Sequence, residues 1–300
     1  MVRPGVFATV QDRGRVSSRR FGVPVGGAFD RGAADLANAL LGNPPDAATL
    51  ELTLIGGSYR AEVNLALALT GAPMAATVEP EVGESRRWSV PRTGTLRAGE
   101  TLILGGSTVG ARCYLAVRGG WRTPAILGSR STEQGLRTGD HLDAQAGTTS
   151  TRRPSPEVVQ AFSLESDAPI RWIDGPDFDS TVLDGSYRVL DQSNRVGVRL
   201  DGGWVEVATD PNRLSRPVAP GAIQVVGGQP ILLGVAGGTI GGYPHVGHVI
   251  TADLDRVGQL RPGDQVQFER VDLRAARRLD ADLRQGRAVW RTRLMMWAEV

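Results

Sequence analysis

Glycine and proline, 39 and 18 of the 300 residues, cut this chain into short apolar runs, and that punctuation limits its possible folds more than any other feature. "LTLIGGSYRAEVNLALALTG", "TLILGGSTVGARCYLAVRGG" and "IQVVGGQPILLGVAGG" set β-prone residues between glycine pairs. This is the pattern of short strands joined by turns. One motif recurs, as "LRAGETL" from Leu96, "LRTGDHL" from Leu136 and "LRPGDQV" from Leu260. Its glycine suits a positive φ and its acid suits a hydrogen bond back to the turn's own backbone, so each copy predicts a turn that feeds a strand. Recurrence in both halves suggests two related β-barrels within a mainly β fold.

Two helices interrupt the strands. In "AFDRGAADLANALLGNPPD" Asp30 is placed to cap, Ala33, Leu36, Ala37 and Leu40 recur at helical spacing, Gly42 supplies a left-handed stop and Pro44 prevents continuation. A terminal helix is expected over about Val271 to Arg287, with Leu273, Leu279 and Leu283 on its apolar side. Three hundred residues suffice for two domains. The Ser-, Thr- and Pro-rich stretch "DAQAGTTSTRRPSPEVVQ", Asp143 to Gln160, is the best linker candidate. It divides the chain into an N-terminal barrel over 1–150 and a C-terminal barrel with the terminal helix over 161–300.

Composition narrows the chemistry. A hydrophobic fraction of 41% with 22% charged residues is that of a soluble globular protein. No apolar run is long enough to span a bilayer and the start lacks a signal-like apolar centre, so the expected location is the cytoplasm, without a membrane partner. Cys113 is the single cysteine and suits an inert buried thiol. The net charge of +2 is too small to point to nucleic acid. The sequence contains no lysine, which excludes a Walker-A phosphate contact, a Schiff base and a biotin attached to this chain.

"GVAGGTIGGYPHVGH", Gly234 to His248, gathers six glycines and two of the three histidines. His245 and His248 are spaced H-x-x-H, but glycine and proline around them argue for loop and strand, and His141 is the only other histidine, so no metal site is expected. No G-x-S-x-G elbow is present and no histidine has an evident nucleophile partner, which disfavours serine and cysteine hydrolases. Bare backbone at Gly237, Gly238, Gly241 and Gly242 would let a ligand approach closely and let successive N–H groups form a nest for a carboxylate or developing oxyanion. A glycine-rich turn without a ligand explains the same residues equally well.

Several motifs in order, "TVQDRGR" (Thr9 to Arg15), "FGVPVGGAFDR" (Phe21 to Arg31), "LGNPPDAATLELTLIGG" (Leu41 to Gly57), "LTGAPMAATVE" (Leu69 to Glu79), "CYLAVRGG", "LGSRST" (Leu127 to Thr132), "PGAIQV", "GGQPILL" and "TIGGYPHVGHVITADLDRVGQLRPGDQVQFE", resemble the KipA family. That family is also known as the C-subunit of 5-oxoprolinase or as allophanate hydrolase subunit 2, and is similar to the carboxyltransferase region of urea carboxylase. The resemblance runs from about Thr9 to Glu269. It implies two cyclophilin-like β-barrel domains with a few helices and a canyon between them, a KipI-like partner subunit and, for some members, a third subunit. The chemistry implied is ATP-dependent opening of 5-oxo-L-proline to L-glutamate, with ATP held in the complex. The alternative is carboxyl transfer to urea-like amides from biotin on a separate carrier. Both act on a small amide.

Carried over by position, the resemblance makes Arg130 and Tyr243 the catalytic candidates, and Ser131, Thr132, Asn194, Arg195, Gln229, Gly238, Thr239, Gly241 and Gly242 the substrate contacts. An Arg130 that ties one barrel to the other is the structural alternative. Asp12 and Asp30 suit capping and substrate contact alike. The chain also departs from its relatives. Ala236, Gly237 and Gly238 replace an acid, an arginine and a glutamine; Asn194 occupies a usually acidic position; Arg216 falls where S-E-G is usual; and the segment after "GSRST" is shorter by roughly a dozen residues. A binding or regulatory subunit without catalysis is therefore a third reading.

Overall fold

The run "LALALTG" forms a strand whose two residue types go to two different places. In the computed structural model, which describes residues 1–163, 168–178, 183, 185–207 and 212–298, Leu65, Leu67 and Leu69 enter one buried cluster while Ala66 and Ala68 enter another. The period-2 geometry of a strand makes this separation automatic. By its contacts the chain divides into two units: unit 1 comprises Met1–Gly14, Gly26–Ser163 and Gly286–Val300, and unit 2 comprises Arg15–Val25 and Leu164–Gln285.

Ten strands build unit 1: β1 (Arg3–Pro4), β2 (Phe7–Gln11), β3 (Thr49–Thr53), β4 (Ile55–Arg60), β5 (Leu65–Gly71), β6 (Ala76–Glu79), β7 (Arg86–Trp88), β8 (Arg92–Leu96), β9 (Thr101–Gly106) and β10 (Arg112–Val117). They form two five-stranded antiparallel sheets, β1-β4-β9-β6-β7 and β2-β3-β10-β5-β8. Leu50, Leu52, Leu67, Leu69, Leu102, Leu104 and Leu115 share a dry core between them, each no more than 2% exposed. Cys113 lies in the same core, and burial pushes its thiol up to about 12, so the inert reading holds.

The outer face of β5 and β10 presents Ala66, Ala68, Tyr114 and Ala116, and these small residues let α1 (Arg31–Leu40) lie close. Asp30 caps α1 by accepting from the Ala33 N–H at 2.8 Å, and Gly42 takes φ 71° just past its end, as the sequence predicts. A buried network fixes the entry to the helix. Glu51 Oε2 accepts from the Phe29 N–H at 2.8 Å and the Tyr114 hydroxyl at 2.7 Å, while Glu51 Oε1 accepts from Arg112 Nε at 3.2 Å.

The expected linker is a built part of unit 1. Its main chain docks on the edge strand β8 through that strand's hydroxyls: Thr93 Oγ1 donates to the Ser150 carbonyl at 2.9 Å and accepts from the Arg152 N–H at 3.0 Å, and Thr95 Oγ1 accepts from the Thr149 N–H at 2.9 Å. Beyond it, α2 (Pro156–Phe162) buries Val158 and Phe162 in the cluster against α1, which Leu294 also enters.

Unit 2 holds β11 (Ile170–Asp174), β12 (Tyr187–Val189), β13 (Gly197–Asp201), β14 (Arg216–Pro217), β15 (Ala222–Val226), β16 (Gln229–Leu233), β17 (Ile240–Gly241), β18 (His245–Val249), β19 (Gln265–Val266) and β20 (Phe268–Arg270). Eight of them form one long sheet, β19-β12-β13-β16-β15-β18-β11-β20, and β14 with β17 forms a separate ribbon. After α3 (Leu254–Gln259), α4 runs from Leu273 to Ala298, well past the expected end. Gly286 interrupts the sequence pattern, yet a Cβ there would meet nothing within 4 Å, and an exposed helical glycine costs only about 1 kcal/mol. Ala276, Leu279 and Leu283 pack with Ile173, Ile250 and Ala252, whereas Leu273 is 50% exposed.

All three recurring motifs form the same turn. Gly99, Gly139 and Gly263 take φ of 83°, 89° and 91°, and the acid that follows each accepts from the N–H of the arginine that opens the turn: Arg97 to Glu100 at 2.7 Å, Arg137 to Asp140 at 2.7 Å, Arg261 to Asp264 at 2.8 Å. Each turn glycine also donates its N–H to a distant carbonyl, of Ala61, Met1 and Val189 respectively. No described helix is long and apolar enough to cross a membrane.

Candidate functional site

The residues singled out by the sequence fall in both units, and each group is built by its own local chemistry. In unit 1 the "GSRST" segment is organised by Asp12, which follows β2. Asp12 Oδ1 accepts from Ser129 Oγ at 2.6 Å, Ser131 Oγ at 2.5 Å and the Gly14 N–H at 2.7 Å, and Oδ2 accepts from the Arg130 N–H at 2.6 Å. Burial pushes this carboxyl upward, but the hydrogen bonds from Ser129, Ser131, Gly14 and Arg130 outweigh it and hold the group below its ordinary 3.8. The Ser131 hydroxyl is thus engaged, and the residue is only 3% exposed. Thr132 Oγ1 accepts from the Gln134 N–H at 3.0 Å. Arg130 is exposed and reaches the Thr123 carbonyl through Nη1. Asp12 is the anchor of this loop, and Arg130 is its outward-facing charge.

In unit 2 the glycine run lies beside "QSNRVG". The Ala236 N–H donates to the Arg195 carbonyl at 3.1 Å and the Gly234 N–H to the Val196 carbonyl at 2.9 Å, while Asn194 Oδ1 accepts from the Val196 N–H at 2.8 Å. Asn194 and Arg195 therefore meet the loop, with Arg195 only 4% exposed. Thr239 accepts at its carbonyl from the Val218 N–H at 2.9 Å, and Gly241 pairs with Arg216 across the β14–β17 ribbon. Gln229 is not in this group. It starts β16 at the end opposite Gly234, about 16 Å away at roughly 3.3 Å per residue.

The run does not need its glycines for left-handed backbone: none of Gly237, Gly238, Gly241 and Gly242 has φ in that region, so the expected nest is not formed. Packing explains two of them. A Cβ on Gly237 would come 2.7 Å from Leu233 Cγ, and one on Gly241 would come 2.5 Å from Gln224 Nε2. Nothing comparable explains Gly238 or Gly242, where the nearest atoms would be 3.5 Å and 3.4 Å away. Both are exposed, and their N–H groups have no acceptor among the described residues. Tyr243, 54% exposed, follows directly. The loop thus offers two bare main-chain donors and a phenol to solvent.

The histidine pair lies behind this loop. Its rings are 5.6 Å apart, and no group of three or more potential metal ligands occurs among the described residues. Burial lowers His245, and burial together with His245 brings His248 down to about 4, so both imidazoles are neutral at neutral pH. Asp177 fixes the start of β18 by accepting from the His245 N–H at 2.8 Å while pairing with Arg213 and with Arg216 at 3.4 Å. Sequence reasoning missed Gln224, which stands opposite His245 in the β15–β18 ladder and is 6% exposed; neither Gln224 Nε2 nor His245 Nε2 finds a hydrogen-bond partner. The signal was available as one polar residue within the apolar strand "AIQVV".

Known proteins resemble the chain along most of its length. It is 34% identical over 294 residues to the C-subunit of 5-oxoprolinase from Escherichia coli, a match covering 92% of each chain. It is 31% identical to the subunit of that name from Haemophilus influenzae, over 91% of each. The urea amidolyase of Lachancea kluyveri is 31% identical over 92% of this chain, but the match spans 17% of that protein. Among solved structures, the Kluyveromyces lactis urea amidolyase superposes with a TM-score of 0.79 at 28% identity, covering 95% of this chain and 19% of the other. The sequence model of the carboxyltransferase domain, subdomain A and B, matches residues 21–270. With that match over most of its length and with relatives of the same extent, the chain belongs to the carboxyltransferase domain A and B family.

Proposed function

We propose that this chain is the substrate-amide subunit of a heteromeric, ATP-dependent 5-oxoprolinase that opens 5-oxo-L-proline to L-glutamate, working with a KipI-like subunit and a third chain. The observation that carries this reading is the pair of exposed, acceptor-free N–H groups at Gly238 and Gly242 beside Tyr243. Such donors suit an amide oxygen on which negative charge develops, because they are fixed before reaction and cost no reorganisation. In this reading Asn194, Arg195, Thr239 and Gly241 flank these donors within unit 2, whereas Arg130, Ser131 and Thr132 are carried by unit 1 and Gln229 stands at the far end of its strand. Support also comes from the identity of 34% to the Escherichia coli C-subunit of 5-oxoprolinase, the relative whose name matches this reading.

ATP would supply phosphoryl activation. This chain has no lysine and so no P-loop contact of the Walker-A type; ATP would be held in the complex in another way. Co-expression with the KipI-like and third chains, followed by an assay of ATP-dependent glutamate release, tests the proposal. Release that falls at least about ten-fold in Tyr243→Phe supports it. An assembled complex without release overturns it.

A second reading, biotin-dependent carboxyl transfer to a urea-like amide, is favoured by the matches to urea amidolyase and by the family description. Biotin would then arrive on a separate carrier, again because lysine is absent. Transfer of label from a carboxylated biotin carrier to urea would select it.

A further inference from the structure

We propose that unit 1 carries a second binding site, for a small oxyanion, where Trp88 and Arg92 meet at the connection between β7 and β8. Trp88 ends β7 and is 5% exposed, yet its indole Nε1 has no hydrogen-bond partner. Arg92 begins β8, and its Nε is likewise buried without a partner. The two side chains touch: the Arg92 guanidinium carbon lies 5.3 Å from the centre of the Trp88 ring. That stacking engages the ring face but leaves both N–H edges unmatched.

Indole and guanidinium nitrogens are donors only, so water could answer them as an acceptor, but charge selects something stronger. The groups that bear on Arg92 are burial, Arg153 and Arg86, all of which disfavour its positive charge. No carboxylate pairs with Arg92 or Arg153 among the described residues. The nearest candidate, Glu100, is already taken by Arg86, whose two terminal nitrogens reach its oxygens at 2.6 and 2.7 Å. Two unmatched donors on adjoining side chains, with no carboxylate to balance Arg92 or Arg153, are the complement of an anion with several acceptor oxygens.

The surroundings are built rather than loose. Trp88 packs over Gly94, where a Cβ would come 2.7 Å from the ring, and Thr151 Oγ1 lies beside the same point and 3.5 Å from Arg92 Nη2. Thr151 belongs to the docked segment hydrogen-bonded to Thr93 and Thr95, so its hydroxyl is brought to this place from a second element. All these residues lie in unit 1 and none belongs to the glycine loop or the "GSRST" segment, so the site is independent of the proposed reaction.

The test is an indole ¹⁵N–¹H titration of the full chain with inorganic phosphate and, separately, with acetate, each against chloride at matched ionic strength. The Trp88 resonance is identified by its loss in Trp88→Phe. A saturable shift of that resonance with phosphate identifies a phosphate-type ligand and one with acetate a carboxylate-type ligand; either supports the site. Arg92→Gln should weaken binding at least about ten-fold and the exposed Arg153→Gln about three-fold. Should Arg92→Gln disturb the other indole signals, Arg153→Gln decides. No saturable shift, the same shift with chloride, or unchanged affinity in Arg153→Gln overturns the proposal.

Discussion

Asp12 shows how one carboxylate can set a loop that carries the charge of interest. Its two oxygens accept from four groups, and the arginine that follows Ser129 is aimed outward as a result. Replacing Asp12 by Ala leaves the hydroxyls of two serines and two N–H groups without their acceptor, so Asp12→Ala should lower the unfolding free energy by about 2–3 kcal/mol, read from a denaturant midpoint. Gly238→Ala isolates the opposite case. A methyl group there clashes with nothing, so stability should change by less than about 0.5 kcal/mol. If the loop binds substrate as proposed, turnover of the assembled complex should nonetheless fall at least about ten-fold, because the methyl would stand in the path of its approach. Equal turnover would remove Gly238 from the site. The capping role of Asp30 and the buried Cys113 were legible from sequence because each follows from its immediate neighbours. The engagement of Ser131 by Asp12 was not, because its partner lies 119 residues away.

At the scale of elements, β5 and β10 show how alternation assigns faces. Leu67→Ala opens a cavity in the dry core and should cost about 2–5 kcal/mol. Ala68→Leu, one residue on, pushes against α1 instead and should cost about 1–3 kcal/mol by overpacking. Thermal or denaturant unfolding of the two variants distinguishes the faces. β18 carries a pH dependence. His248 has its neutral form favoured in the folded state, at about 4 against an ordinary 6.5. The unfolded chain therefore takes up a proton that the native one refuses, so stability is fully present above about pH 6.5 and is lost as pH falls toward 4, at roughly 1.4 kcal/mol per unit between the two values. Unfolding followed from pH 7 to 4 checks this, with His248→Gln expected to flatten the slope. The three "LRxG" turns were legible, since glycine, acid and spacing are contiguous, but only those at Gly99 and Gly263 feed strands, β9 and β19, while Gly139 leads to an isolated bridge at Asp143. The segment from Asp143 to Gln160 was not, because its main chain is held by the hydroxyls of Thr93 and Thr95 on β8, far from it in the sequence.

For the molecule as a whole, the mainly β character and the family could be read in advance, whereas the partition of the chain could not. Unit 1 is completed by residues from Gly286 onward, with Leu294 in its cluster, and unit 2 takes in Arg15–Val25 from near the start. A fragment ending at Ser163 lacks Leu294 and Trp290 against α1 and α2, and should unfold about 2–5 kcal/mol more easily than unit 1 of the full chain, by hydrogen exchange at α1. Such an interlaced order reverses the usual progress of vectorial synthesis, in which the earlier-made body finishes first. As the nascent polypeptide leaves the ribosome, α1 and α2 can already cover the alanine-rich face of β5 and β10, but the outer side of that helix pair must wait for Trp290 and Leu294 of α4 to emerge.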